Sequence, residues 1–157
     1  MQGGSDYTLN CFAGGIVART DSSWRNVAQN QITSCRNDGS VTVDPADVAN
    51  GSFASAGGLV GGAGTAGSNV RIDNCSVTGS TISAASGTFA YAGGLAGRLD
   101  RENVVTNCWT DIAVTAVSAN SPACAGGLVA TIGGSSMIAN AAALGDVSVT
   151  GVSAEYN

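Results

Sequence analysis

The sequence predicts an all-β fold, a short parallel β-helix-like solenoid of about four coils with three strands in each coil and the usual right hand of parallel crossovers. Three observations carry that expectation. A glycine motif recurs four times along the chain, glycine is abundant while charge is scarce, and β-prone runs separate the turn-forming residues. With 157 residues and no composition shift or Pro-rich hinge, the chain suits a single repeat domain spanning residues 1–157.

The units are taken in order. Ala-Gly-Gly followed by an aliphatic residue opens at Ala13, Ala56, Ala92 and Ala125, at intervals of 43, 36 and 33 residues, with 1–12 and 152–157 left as terminal segments. In unit one, Gly14-Gly15-Ile16 is followed by Ile32-Thr33-Ser34-Cys35, then Gly39 and the run Val41-Thr42-Val43. Unit two repeats the order with Gly57-Gly58-Leu59, Ile72-Asp73-Asn74-Cys75, Gly79 and Thr81-Ile82-Ser83. Unit three has Gly93-Gly94-Leu95, Val105-Thr106-Asn107-Cys108 and Val114-Thr115-Ala116, with Ile112 where the later Gly would stand. Unit four has Gly126-Gly127-Leu128, Ile138-Ala139-Asn140-Ala141, Gly145 and Val147-Ser148-Val149. The long first interval leaves about ten residues to bulge outwards, placed at Pro45 to Phe53.

Three β-prone runs per unit, separated by Gly, Asn, Asp and Ser, predict three strands and three corners. A helix is disfavoured, because each glycine in a helix interior costs about 1 kcal/mol and Val, Thr, Ser and Asn fill most remaining places. Alternation in Asp146-Val147-Ser148-Val149-Thr150 puts apolar side chains on one face. Stacked at about 4.8 Å, four such coils stand roughly 20 Å tall. Aromatics are 5% of the chain, so the core must be thin and built of Val, Ile, Leu, Ala and Cys.

Charge narrows the partners. Six basic residues, all Arg, against eleven acidic ones give a net charge of −5, which offers no basic patch for nucleic acid or an anionic membrane. No apolar run approaches the roughly 20 residues of a membrane span, and Met1-Gln2-Gly3-Gly4 has neither the basic nor the apolar region of a signal peptide.

Gly57-Gly58-Leu59-Val60-Gly61, a Gly-rich turn and Ile72-Asp73-Asn74-Cys75-Ser76-Val77-Thr78-Gly79 closely resemble the GLUG motif, found as tandem repeats in bacterial surface proteins, adhesin-like proteins and the non-catalytic part of IgA-specific metallopeptidases. The resemblance covers about Ala13 to Gly151, departs at Ala18 and at Asp44 to Ala56 in unit one, and lacks the Cys and carries Ala130 in unit four. It implies a β-solenoid in an extracellular setting and no chemistry of its own.

The candidate site residues are therefore structural. Gly14, Gly15, Gly57, Gly58, Gly93, Gly94, Gly126 and Gly127 mark turns or close backbone approaches. Cys35, Cys75 and Cys108 recur at one position and should form a column of free, buried thiols, since in-register parallel neighbours hold their Cβ atoms too far apart for an easy disulfide. Cys11 and Cys124 sit three coils apart. Asn74, Asn107 and Asn140 should form a ladder at a corner, where Asn accepts left-handed backbone geometry and its amide can bond the copies above and below. Neither Asn37-Asp38-Gly39 nor Asp44-Pro45-Ala46-Asp47 has the ligand spacing of a calcium loop, and Asp100-Arg101-Glu102 suits a solvated turn. Metal ligation and cofactors are not expected, because there is no His and no Cys-x-x-Cys.

With neither His nor Lys, a Ser or Cys nucleophile lacks its usual base, so the chain is expected not to be an enzyme. The expected function is a non-catalytic structural or adhesive repeat module of a bacterial cell-surface or secreted protein. Two alternatives stand beside it. One is an extracellular filament subunit that stacks on itself through open solenoid ends, since neither Met1 to Asn10 nor Ala142 to Asn157 offers an amphipathic capping helix. The other is a carbohydrate-binding module, for which Trp24, Trp109, Tyr7, Tyr91, Tyr156 and three Phe are available but not in register. Partners are accordingly a second copy or a host protein or glycan, without nucleic acid and without membrane insertion.

Overall fold

A computed structural model describes residues 10–20, 30–44, 53–63, 70–100 and 102–152. Those residues form strands and no helix. Unit one supplies β1 (Asn10–Gly14), β2 (Val17–Thr20), β3 (Asn30–Thr33), β4 (Arg36–Asn37) and β5 (Val41–Val43). Unit two supplies β6 (Phe53–Gly57), β7 (Val60–Ala63), β8 (Val70–Asp73) and β9 (Ser76–Ser86). Unit three gives β10 (Phe89–Gly93), β11 (Ala96–Leu99) and β12 (Val104–Ser118), and unit four gives β13 (Ala123–Gly126), β14 (Val129–Ile132), β15 (Met137–Ala143) and β16 (Val147–Thr150).

The strands assemble into three sheets. The first runs β1-β6-β10-β13, the second β2-β7-β11-β14, and the third joins β3, β4 and β5 to β8 and β9, then to β12, then to β15 and β16. Every pairing is parallel and matches equivalent residues of successive units, as in Ile32↔Ile72, Val105↔Ile72 and Val105↔Ile138. The sheets divide the unit differently from the three runs read in the sequence. The Ala-Gly-Gly segment is broken into two strands on two sheets, while the two later runs share the third sheet, merging into one 15-residue strand in unit three. The strands also begin three residues or so before the motif, so Asn10, Cys11 and Phe12 belong to β1 rather than to a terminal segment. Of the bulge placed at Pro45 to Phe53, residues 45–52 lie outside the described residues, and Phe53 opens β6.

The Gly doublets break the strand for a steric reason. A Cβ on Gly57 would lie 1.9 Å from the Val60 carbonyl oxygen, because the chain folds back on itself within three residues to pass from the first sheet to the second. A Cβ on Gly58 would lie 2.2 Å from the Gly94 oxygen, so the second glycine is required by the unit stacked beside it. The Gly58 and Leu59 N–H groups donate to the Gly94 and Leu95 carbonyls, carrying the ladder through the turn.

Small and branched apolar residues fill the interior. Leu59, Leu95, Ile72, Val105, Ile82 and Val114 are fully or almost fully buried, each contributing about 1.5–3 kcal/mol of transfer free energy. The inward rows of the first sheet are alanines, Ala54, Ala56, Ala90 and Ala92, which lets β10 pack closely on β9 and β12. Strand β12 buries every second residue over most of its length, the signature of a strand with one face on the core. Where unit three has Ile112, unit two has Gly79 and Ser80, and the register shifts by one residue between Asp111 and Ala113. The bulge places Gly79 at a φ of 138°, a value that only glycine adopts readily, and leaves Ile112 buried.

Candidate functional site

The clearest constellation is a corner within the third sheet. Ser34, Asn74, Asn107 and Asn140 occupy it in the four units with φ values of 53°, 53°, 54° and 50°. Asn is the non-glycine residue that tolerates left-handed geometry best, and here it also links the units. The Asn140 amide donates to Asn107 Oδ1 at 2.5 Å, the Asn107 amide to Asp73 Oδ1 at 2.9 Å, and the Asn74 amide to Ser34 Oγ at 3.1 Å. The row is thus a mixed ladder, with Asp73 taking the place of Asn74 as acceptor. Asp73 also accepts from Thr106 Oγ1 at 2.5 Å, and these two bonds, Thr106 foremost, hold its carboxyl below the usual range.

One residue further on, Cys35, Cys75 and Cys108 point inward with free thiols. Cys75 Sγ accepts from the Cys35 N–H at 3.4 Å and donates to backbone carbonyls at Ile32 and Asp73. Cys108 Sγ faces the carbonyls of Thr106 and Ile72. Desolvation pushes the Cys108 thiol up to about 11 and raises Cys75 as well, so both are poor nucleophiles and pack as small apolar groups. Cys11 and Cys124 differ in row as well as in unit: Cys11 is in register with Ala54, whereas Cys124 pairs with Tyr91.

The outer face of the first sheet holds what the sequence did not disclose. Phe53 and Phe89 are in register, and Phe12, Ser55, Tyr91 and Cys124 form the next outward row. These four aromatic residues are therefore gathered on one face, against the expectation of aromatics out of register. Phe12 meets Phe53 edge-on with centroids 5.1 Å apart, Phe53 meets Tyr91 edge-on at 6.0 Å, and Phe89 stacks on Tyr91 at 6.4 Å with 9° between planes. From the second sheet, the Arg19 guanidinium lies 5.0 Å from the Phe12 centroid and Arg98 lies 5.9 Å from both Phe53 and Tyr91. Asp100 anchors Arg98 at 2.6 Å, and buried Ser55 donates to the Gly61 carbonyl beneath the rings. The legible signal was position: Phe53 and Phe89 both stand three residues before the Ala of Ala-Gly-Gly, and Phe12 and Tyr91 one residue before it.

Other candidates are less organised. Trp109 projects from β12 beside an open depression lined by Asn107, Asn140, Ala141 and Ala142. Asp38 is engaged by Thr78 Oγ1 and Arg36 Nε, each at 2.5 Å, and those bonds lower its carboxyl's proton affinity. Among the described residues, no three His, Cys, Asp or Glu side chains gather as a metal site would require. Trp24, Tyr7, Tyr156, Asp47 and Arg101 lie outside the described residues.

No family model, no curated protein and no solved structure matches the chain.

Proposed function

We propose that the chain is a segment of right-handed β-solenoid, related to the GLUG-type repeats its motifs resemble, that serves as a non-catalytic spacer or adhesive module outside a bacterial cell. One observation carries this: the units set the same rows beside one another, Ala-Gly-Gly in all four, an αL corner residue that is Asn in units two to four and Ser34 in unit one, and an inward Cys in units one to three, so the polar side chains at the corner bond to neighbouring units and build the stack. A protein organised in this way gains length by adding units and presents a repeated Ser, Thr and Asn surface. Antibody raised against the chain should label intact cells of the source bacterium and lose its target when those cells are shaved with protease. Labelling only after lysis would overturn the extracellular assignment.

A second proposal, carbohydrate binding, is favoured by the Phe12, Phe53, Phe89 and Tyr91 cluster with its two arginines. Most of these rings meet edge-on, and Phe89 is the one in the cluster that is widely exposed, so a saccharide would have a single stacking face. A glycan screen comparing the chain with a Phe89→Ala, Tyr91→Ala variant tests it; equal binding by both, or by neither, sets this alternative aside.

A further inference from the structure

One aromatic residue stands apart from the cluster on the first sheet. Trp109 projects from the outer face of the third sheet, 41% exposed, and among the described residues that sheet carries no other aromatic. The stack does not call for an indole there, since the same row holds Arg36 in unit one, Ser76 in unit two and Ala142 in unit four. Beside Trp109 lies an open depression of about 470 Å³, lined by Asn107, Cys108, Asn140, Ala141 and Ala142. Units two and four border it on either side, so a further repeat after unit four would lie two strand spacings, about 9.6 Å, from Trp109. The rim is polar. Asn107 and Asn140 each use one amide N–H within the corner ladder, toward Asp73 and Asn107, and each carboxamide has a second N–H to offer. Asp111 follows on the same outward face of β12, two residues or about 6.6 Å further along, with no ion-pair partner among the described residues.

We propose that Trp109 is the platform of a binding site for a neutral saccharide, with the apolar face of one pyranose ring on the indole and its hydroxyls bonded to the Asn107 and Asn140 amides and the Asp111 carboxylate. Size and charge select this occupant. The apolar surface amounts to one indole and two alanines, which suits a single sugar ring and falls far short of the roughly 800 Å² that each partner buries in a stable protein interface. The carboxylates of Asp73 and Asp111 border the site and repel uronic and sialic acids, while Arg36 and Arg71 face Asp38 and Asp73. The proposal rests on the adhesive reading, for which it supplies a target. It shares its ligand class, but not its place, with the alternative on Phe89 and Tyr91.

The test starts with the wild-type chain on an array of neutral oligomers of glucose, galactose and N-acetylglucosamine beside sialylated and uronic-acid glycans. Binding to neutral members alone is the expected result. The tightest of them is then titrated against Trp24→Phe, in which Trp109 is the one remaining indole, and its fluorescence should shift on binding. Trp109→Ala should lower affinity about thirtyfold or more, as the loss of a Trp anchor does, and Trp109→Phe should restore part of it. The Phe89→Ala, Tyr91→Ala variant should bind as the wild type does. Circular dichroism confirms that each variant keeps its β structure. An array without a neutral binder, a preference for acidic glycans, or equal binding by folded Trp109→Ala overturns the proposal. Binding lost in the Phe89→Ala, Tyr91→Ala variant and kept in Trp109→Ala overturns it too, and moves the saccharide to the first sheet. None of these outcomes bears on the surface labelling that tests the repeat-module assignment.

Discussion

Replacing Gly57 by alanine adds one methyl group at the sharpest point of the unit. Its carbon would stand 1.9 Å from the Val60 oxygen, 2.7 Å from the Gly97 nitrogen and 2.8 Å from the Ala96 Cα. All three are backbone atoms, so no side chain can swing aside, and relief requires prising the first sheet from the second. Overpacking a well-packed interior costs about 1–3 kcal/mol and more when backbone must move, which places Gly57→Ala at about 3 kcal/mol or above. For a domain of this length, about 2–4 °C of melting temperature accompanies each kcal/mol, a loss of roughly 6–12 °C. The control is Gly134→Ala, where a Cβ would meet nothing within 4 Å and the effect should stay within about 0.5 kcal/mol. Urea unfolding followed by circular dichroism reads both variants. Equal stability of the two would refute the close-approach account of the doublet.

Other outcomes follow from the same geometry. Ile72→Ala should cost about 2–5 kcal/mol, as for a fully buried large-to-small change, while Ile138→Ala in the same row should cost markedly less, because Ile138 is 40% exposed. Asn107→Ala loses the bond to Asp73 and forces alanine into a φ of 54°, for about 1–2 kcal/mol, whereas Asn107→Gly keeps the backbone geometry and should lose less in the same urea titration. The Cys75 and Cys108 thiols, both raised chiefly by desolvation, hold their protons longer in the folded chain than the ordinary value of 9.0. Between pH 9 and about 11 the unfolded chain therefore binds fewer protons at Cys108, and stability should fall by up to about 1.4 kcal/mol per pH unit there, with Cys75 acting in the same direction. A pH series of urea midpoints checks the sign, and Cys108→Ala should flatten the decline.

Much of this arrangement is legible in the sequence because short repeats expose their own register. The spacing of Asn74, Asn107 and Asn140 and of the Gly doublets by itself places them in common rows. The division into strands is less legible. A glycine pair flanked by apolar residues does not reveal whether the chain bends slightly or folds back, and only the clash at Val60 shows that it folds back. Likewise, the run from Val104 to Ser118 stays one strand because Asn107 in the left-handed region turns the sheet without ending the ladder, a corner that composition alone would make a break. The aromatic cluster is not legible from the motif, because Phe12, Phe53, Phe89 and Tyr91 precede the glycine pairs and point away from the core. The mixed partners in the corner ladder, Asp73 and Ser34, depend on side-chain reach that spacing does not encode.

The most direct measurement of the central claim, that successive units stack along one axis, is small-angle scattering of the chain beside a variant carrying three extra copies of residues 92–124 inserted in series after unit three. Stacked units predict a particle longer by three strand spacings, about 14 Å, with an unchanged cross-sectional radius. Growth of the cross-section, or expansion to the dimensions of an unfolded insert, would contradict the account.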